Sequence, residues 1–271
     1  MPDNTESRRA DGSGAGRIEC RVDGPVSEWL IDNPPVNALN RSMLRALLDA
    51  CEKTRADSRI RAVVITGAGS RCFSAGADMR ELLRMDVAEA MARAEVVCAV
   101  FDALAELPLP TICACNGSAV GGGFEMALMC DVVIASANAR FGLPELRAGV
   151  VPAALGLRRL AEALGYPRAR ALVYTTELIS AAEALSLGVV HRVVDGGDVV
   201  PAAWDLARQM ARHSPSAFRI AKELFSLSDD IPRSALRAHG LNTFRRLLGS
   251  AELREGLEAF LERRTPDFTR F

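Results

Sequence analysis

Apolar residues enter the chain late. The first sixteen positions, MPDNTESRRADGSGAG, are polar, rich in Gly and Ser, and lack the apolar stretch of a secretory signal, so 1–16 reads as a flexible tail. The segments IECRV and VSEWLI then flank Asp23-Gly24-Pro25, the pattern of a hairpin. In NPPVNAL two prolines fix φ and bar a helix through Pro35, which predicts a rigid loop. Leu44, Leu47, Leu48 and Cys51 share one helical face. AVVIT at 62–66 reads as a buried strand, followed by the turn-rich GAGSRCFSAGAD. A helix is expected over 87–107, stopped by Pro108 and Pro110.

The strand TICACN leads into Gly121-Gly122-Gly123 and a helix through about Cys130, with the apolar strand DVVIA directly after it. Strands that are apolar without strict alternation, interleaved with helices, indicate βαβ units covered on both faces. Ser180-Ala-Ala-Glu183 is a capping box opening a short helix that stops at Gly188, and VVHRVV is the last strand. From about 198 the pattern is helical, with helices over 198–213, 215–227, 232–248 and 251–264. The organisation read from this is a tail (1–16), an α/β core domain (17–197) and a C-terminal helical domain (198–271).

Composition narrows the function classes. The chain has 271 residues with 33 basic and 34 acidic side chains, a net charge of −1, so no global field draws it to nucleic acid or an anionic membrane. Arg41, Arg45, Asp49, Glu52 and Lys53 give the first helix mixed charge, unlike a basic RNA-binding face. No apolar run approaches the roughly 20 residues of a membrane span, and a cytoplasmic location is expected. The seven cysteines are scattered, without a paired C-x-x-C and without a histidine near in sequence. They read as buried reduced thiols, with Cys113 and Cys115 on one face of their strand, and no metal site is expected.

The most informative stretch is Asn116-Gly-Ser-Ala-Val-Gly-Gly-Gly-Phe-Glu125. A strand running through glycines into a helix makes an anion site, because free N–H groups and the helix dipole converge where no Cβ intrudes. The lysine and Ser/Thr of a phosphate-binding P-loop are absent, and so is the G-x-G-x-x-G spacing. Glu125 stands in the first turn of an otherwise apolar helix. It is an acid favoured by the dipole, a buried partner of an arginine, or a carboxylate whose burial raises its pKa to a useful range. Glu145 follows Pro144 in Phe141-Gly-Leu-Pro-Glu145, where a solvated loop acid is the plain alternative. Phe73-Ser-Ala-Gly-Ala-Asp78 is a second small-residue turn after a strand.

Taken together, FSAGADMRE, NGSAVGGGFEMALMCDVVIAS, ARFGLPE and GLEAFLERRTPDF closely resemble the crotonase superfamily, most of all its enoyl-CoA hydratases. The match runs from about Ile18 to Phe268 with order and spacing kept. The resemblance implies a crotonase-type α/β spiral of ββα turns with a C-terminal helical trimerisation region, assembled as a homotrimer or a dimer of trimers.

It further implies that the backbone N–H groups of Ala77 and Gly122 form an oxyanion hole for an acyl-CoA thioester, and that Glu125 and Glu145 are the two catalytic glutamates. By that likeness Glu125 activates water for attack at Cβ and Glu145 exchanges the proton at Cα. Ala75, Ala77, Asp78, Met79 and Arg80 match the turn that lies along coenzyme A, with Gly122 beside it. Arg263 matches a basic residue that reaches coenzyme A from the last helix. The helix after Arg80, with Leu82, Leu83, Met85 and Met91, suits an acyl-chain wall or plain core packing.

One departure stands out. The hydratases usually carry P-G-x-G-G after the second glutamate, whereas this chain reads Pro152-Ala-Ala-Leu-Gly156, where Ala153, given a negative φ, offers an N–H to a bound water and Leu155 adds bulk. The implied activity is reversible hydration of a 2-enoyl-CoA to a 3-hydroxyacyl-CoA. It needs no metal or redox cofactor, since coenzyme A arrives with the substrate. Alternatives on the same fold are enoyl-CoA isomerisation, acyl-CoA hydrolysis, or silent acyl-CoA binding.

Overall fold

The computed structural model describes residues 16–228 and 230–271, so the expected tail lies, Gly16 apart, outside the described residues. β1 (Arg17–Asp23) and β2 (Val26–Asp32) form the expected hairpin, with Asp23 opposite Val26 and Gly24 at φ 57° in the turn. α1 (Arg41–Ala56) follows, capped by the Asn40 side chain, which accepts from the Met43 N–H.

A unit then recurs. β3 (Ala62–Gly67) is followed by β4 (Cys72–Ser74), α2 (Met79–Leu82) and α3 (Val87–Ala105). β5 (Thr111–Cys115) is followed by β6 (Ser118–Val120) and α4 (Gly122–Met129). β7 (Val132–Ser136) is followed by β8 (Arg140–Gly142) and a 3₁₀ turn at Glu145–Ala148. Next come α5 (Ala154–Leu164), α6 (Tyr166–Thr175), β9 (Ile179–Ser180), α7 (Ala181–Ser186) and β10 (Arg192–Val194). The chain closes with α8 (Val199–Met210), α9 (Pro215–Leu227), α10 (Arg233–Leu247) and α11 (Ala251–Glu262).

The longer strands form one six-stranded sheet, β1-β2-β3-β5-β7-β10, parallel except between β1 and β2. The short strands form a second sheet, β4-β6-β8-β9, in which β4, β6 and β8 run parallel. Each unit therefore puts one strand in each sheet before its helix, which is a spiral of ββα turns. The βαβ pattern read from hydropathy misses the second strand of each unit. Two or three residues are too few to show a period. Helices α5 and α6 are likewise absent from that reading, and the last strand is shorter than VVHRVV.

Alternate side chains of the large sheet feed two cores. Val63, Ile65, Cys113 and Cys115 pack with α1 and α3, while Val64, Ile112 and Ala114 meet Val199, Ala203 and Ala207 of α8. Cys113 and Cys115 thus share a face as expected, but not every thiol is buried: Cys20 and Cys98 are exposed. Ser180 and Glu183 form the capping box. Among the described residues no helix is long and apolar enough to cross a membrane.

Candidate active site

The small sheet builds the site. Because β4, β6 and β8 lie side by side and parallel, the loops leaving their C-terminal ends are neighbours. They are residues 75–78, 121–122 and 143–145, with the glycine turn in the middle. The Gly121 N–H donates to the Gly142 carbonyl at 2.9 Å, which ties the middle loop to the third. The first and second loops cross closely: a Cβ on Gly76 (φ 78°) would lie 2.5 Å from the Gly122 nitrogen. A Cβ on Gly122 would lie 3.8 Å from the Ala77 nitrogen, so these two amides stand side by side. Neither N–H donates to a protein acceptor among the described residues. Glycine at 76 and 121, both at positive φ, is what lets the backbones approach in this way.

The NPPVNAL loop is the strut behind this crossing. Asn37 (φ 53°) donates through Nδ2 to the carbonyls of Ala68 and Cys72 at 3.0 and 2.8 Å. Its own carbonyl accepts from the Ser74 hydroxyl at 2.8 Å. Leu39 forms a parallel bridge with Ala77. The rigid loop therefore holds the 75–78 segment by main-chain contacts.

Two carboxylates bracket Gly121–Gly122. Glu125, in the first turn of α4, is only 4% exposed, and its Oε2 would lie 3.8 Å from a Cβ on Gly122. Glu145 opens the 3₁₀ turn after Pro144, and its Oε1 would lie 2.8 Å from a Cβ on Gly121. The Oε2 of Glu145 is buried without a hydrogen-bond partner. Glu125 Oε1 accepts the Ala153 N–H at 2.7 Å. This corrects the expectation for Ala153. Its φ of −61° is negative as required, but its N–H is committed to the carboxylate and not to a water. Gly156 makes room for that arrangement, because a Cβ there would run into the Glu125 carboxylate.

Burial first and the neighbouring Glu145 charge second push the Glu125 carboxyl up to about 8, against the opposing Ala153 N–H. Burial also raises Glu145, against the pull of its own backbone N–H. Two such neighbouring acids titrate as a pair. The arrangement can therefore bind an oxygen that becomes negative and, next to it, both give and take a proton.

The other candidates divide. Ala75 lies on the crossing loop, its N–H donating to the Val36 carbonyl at 3.0 Å. The Asp78 carboxylate caps α2, accepting the N–H groups of Arg80 and Glu81 at 2.9 and 3.2 Å. Met79 and Arg80 are exposed, and Arg80 lines an open cleft together with Asp78, Arg84 and Met85. Leu83 (88% exposed) and Met91 (59%) are not core residues, which removes plain packing as their explanation. Arg263 ends α11 with an exposed side chain. Beyond that helix the Phe268 carbonyl accepts from Arg61, which also donates to the His213 carbonyl. Among the described residues no three His, Cys, Asp or Glu side chains converge as a metal site requires. The sequence reading missed the Ala153–Glu125 bond, the clearance at Gly156 and the buried Arg93 behind Leu39.

The model of the family described as Enoyl-CoA hydratase/isomerase matches residues 23–270. The 2,3-dehydroadipyl-CoA hydratase of Escherichia coli (strain K12) is 39% identical over 232 residues, covering 86% of this chain and 90% of that protein. Among solved structures, DspI of Pseudomonas aeruginosa superposes with a TM-score of 0.90 at 34% identity, covering 96% of this chain and 99% of that one. An enoyl-CoA hydratase from Bacillus anthracis gives 0.89 at 31% identity, covering 93% and 98%. The expected fold is the fold of these structures.

Proposed function

The chain belongs to the enoyl-CoA hydratase/isomerase family, and from that premise we propose that it adds water reversibly across the 2,3-double bond of an enoyl-CoA. The observation that carries this reading is the pair of raised carboxyls, Glu125 and Glu145, on either side of the unpaired Gly122 amide. The thioester oxygen accepts from the Ala77 and Gly122 N–H groups, which stabilise the enolate more than the substrate. Glu125, as carboxylate, takes a proton from water as its oxygen bonds to Cβ. Glu145, as acid, gives its proton to Cα. The proton then resides on Glu125, which is the starting state for the reverse reaction. The stronger burial of Glu125 favours that state at rest, so substrate and water must draw the proton to Glu145 before hydration.

The reaction so written moves only water and protons, and coenzyme A arrives with the substrate. The exposed Leu83 and Met91 suit the wall of an acyl channel. Assembly as a homotrimer or a dimer of trimers belongs to the same reading. Its support is the apolar surface left on the C-terminal helices, where Phe225 and Phe260 are each 80% exposed.

Product analysis by chromatography tests the reaction type. Crotonyl-CoA and longer 2-enoyl-CoAs should yield 3-hydroxyacyl-CoAs with coenzyme A still attached. Free coenzyme A, or conversion confined to 3-enoyl-CoA isomers, would rule the reading out.

A further inference from the structure

Arg93 of α3 is the one arginine that the fold buries among the described residues, at 8% exposure, and the proposed reaction gives it no part. Its Nη2 donates to the Leu39 carbonyl at 3.0 Å. Its Nε has no hydrogen-bond partner and stands 3.8 Å from Glu81 Oε2. The carbonyl it holds has a second task. Leu39 donates its N–H to the Gly76 carbonyl at 2.7 Å, and its own carbonyl also accepts from the Asp78 N–H at 3.4 Å. Those two bonds make the Leu39–Ala77 bridge, and they fix the peptides on both sides of Ala77. In a bridge of this kind the N–H of the residue between the two bonded peptides points the opposite way, here toward the site.

Glu81 extends the clamp, since both its oxygens accept the Arg41 N–H at 3.1 Å at the start of α1. Arg93 therefore sits behind residues 39–41 with a charged donor on one side of the bridge and a charged partner on the other. Burial lowers its pKa, while Glu81 first and Asp78 second raise it, and a guanidinium keeps its proton throughout. A charge-assisted bond to Leu39 is stronger than a neutral one, which matters because the Asp78 contact it backs is long at 3.4 Å.

We propose that Arg93 is a positioning residue for the oxyanion donor at Ala77: through Leu39 it holds the direction of the Ala77 N–H. The proposal rests on the reading of Ala77 as a donor to the thioester oxygen. Its consequence is specific. Loss of the guanidinium should weaken polarisation of the bound carbonyl and slow the chemical step, with little change in how tightly the rest of coenzyme A is held.

The test combines steady-state kinetics with difference infrared spectroscopy of bound butyryl-CoA, an unreactive thioester, carrying ¹³C at the carbonyl. In the wild type the carbonyl stretch should fall on binding. Arg93→Met should show a smaller fall and a kcat lower by about 10- to 100-fold, with KM within about threefold. Arg93→Lys, which restores one charged donor, should lie between. Wild-type kcat and carbonyl shift in a folded Arg93→Met would overturn the proposal, as would a fall in kcat with the shift intact. If circular dichroism shows that Arg93→Met does not fold, Arg93→Lys decides alone, with both readouts reduced in support and both unchanged against. A wild type that polarises the carbonyl but forms no hydroxyacyl product would refute the hydratase reading and leave Arg93 testable. A wild type without any carbonyl shift would refute the oxyanion reading itself.

Discussion

The backbone N–H of Ala153 donates to Oε1 of Glu125 across 2.7 Å, and it is the one hydrogen bond that counters the burial of that carboxylate. Ala153 has φ −61°, which a proline ring accepts, so Ala153→Pro removes the donor at a compatible φ, and its Cδ, standing where the N–H was, pushes the Glu125 carboxylate away. A bond to a charged group is worth about 1.5–3 kcal/mol, or roughly one to two pKa units. Ala153→Pro should therefore move the basic limb of the pH–rate profile upward by about that much and lower kcat. An unshifted limb would mean that the bond does not tune Glu125.

The wild-type pH profile follows from the same pair. Hydration needs one carboxylate and one acid, a state bounded below by the raised Glu145 and above by Glu125 at about 8. The free-enzyme profile of kcat/KM should be bell-shaped, falling above about pH 8 and falling again toward acid before the usual carboxylate range is reached. A rate that is flat from pH 6 to pH 10 would contradict a shared proton.

Glu125 also makes stability depend on pH, with a definite sign. Its folded-state pKa is raised from 4.5 to about 8, so the folded state favours the neutral form. That contribution is fully present below the unfolded value and is lost as pH rises through the folded one. Glu125→Gln cannot ionise and escapes the loss. Urea unfolding should show the variant gaining on the wild type by on the order of 3 kcal/mol between pH 5 and pH 9. A constant difference between the two proteins would show that Glu125 titrates normally.

Gly156 separates activity from stability. It lies in the first turn of α5, where alanine is the better helix former by about 1 kcal/mol, yet a methyl there meets the Glu125 carboxylate. Gly156→Ala should lower kcat by about 10- to 100-fold through displacement of that carboxylate, while the helix gain offsets part of the strain in thermal unfolding. Full activity in this variant would show that Glu125 tolerates movement.

Much of this was legible in the residues before any coordinates. The hairpin at Gly24, the buried AVVIT strand, the glycine turn into α4 and the four C-terminal helices all carry strong local signals. The small sheet does not, because Cys72–Ser74, Ser118–Val120 and Arg140–Gly142 are each too short to show alternation. Yet it is the parallel order of those three strands that brings the loops of Ala77, Gly122 and Glu145 together. The family motifs named Glu125 and Glu145, which the fold sets beside Gly121 and Gly122, without showing how Glu125 is held. Ala153 acts through a backbone N–H that any residue but proline supplies, and Gly156 acts by what it lacks. Arg93 carries no signal in the sequence pattern, and only its burial against Leu39 distinguishes it.

The central claim is that Glu125 and Glu145 work as an acid–base pair beside the Gly122 amide. Steady-state hydration of crotonyl-CoA by the wild type, Glu125→Gln and Glu145→Gln tests it most directly. Each substitution keeps size and removes one titratable group, so each should cost about 10²- to 10⁴-fold in kcat and leave KM within a few-fold. Wild-type kcat in either folded variant would contradict the account.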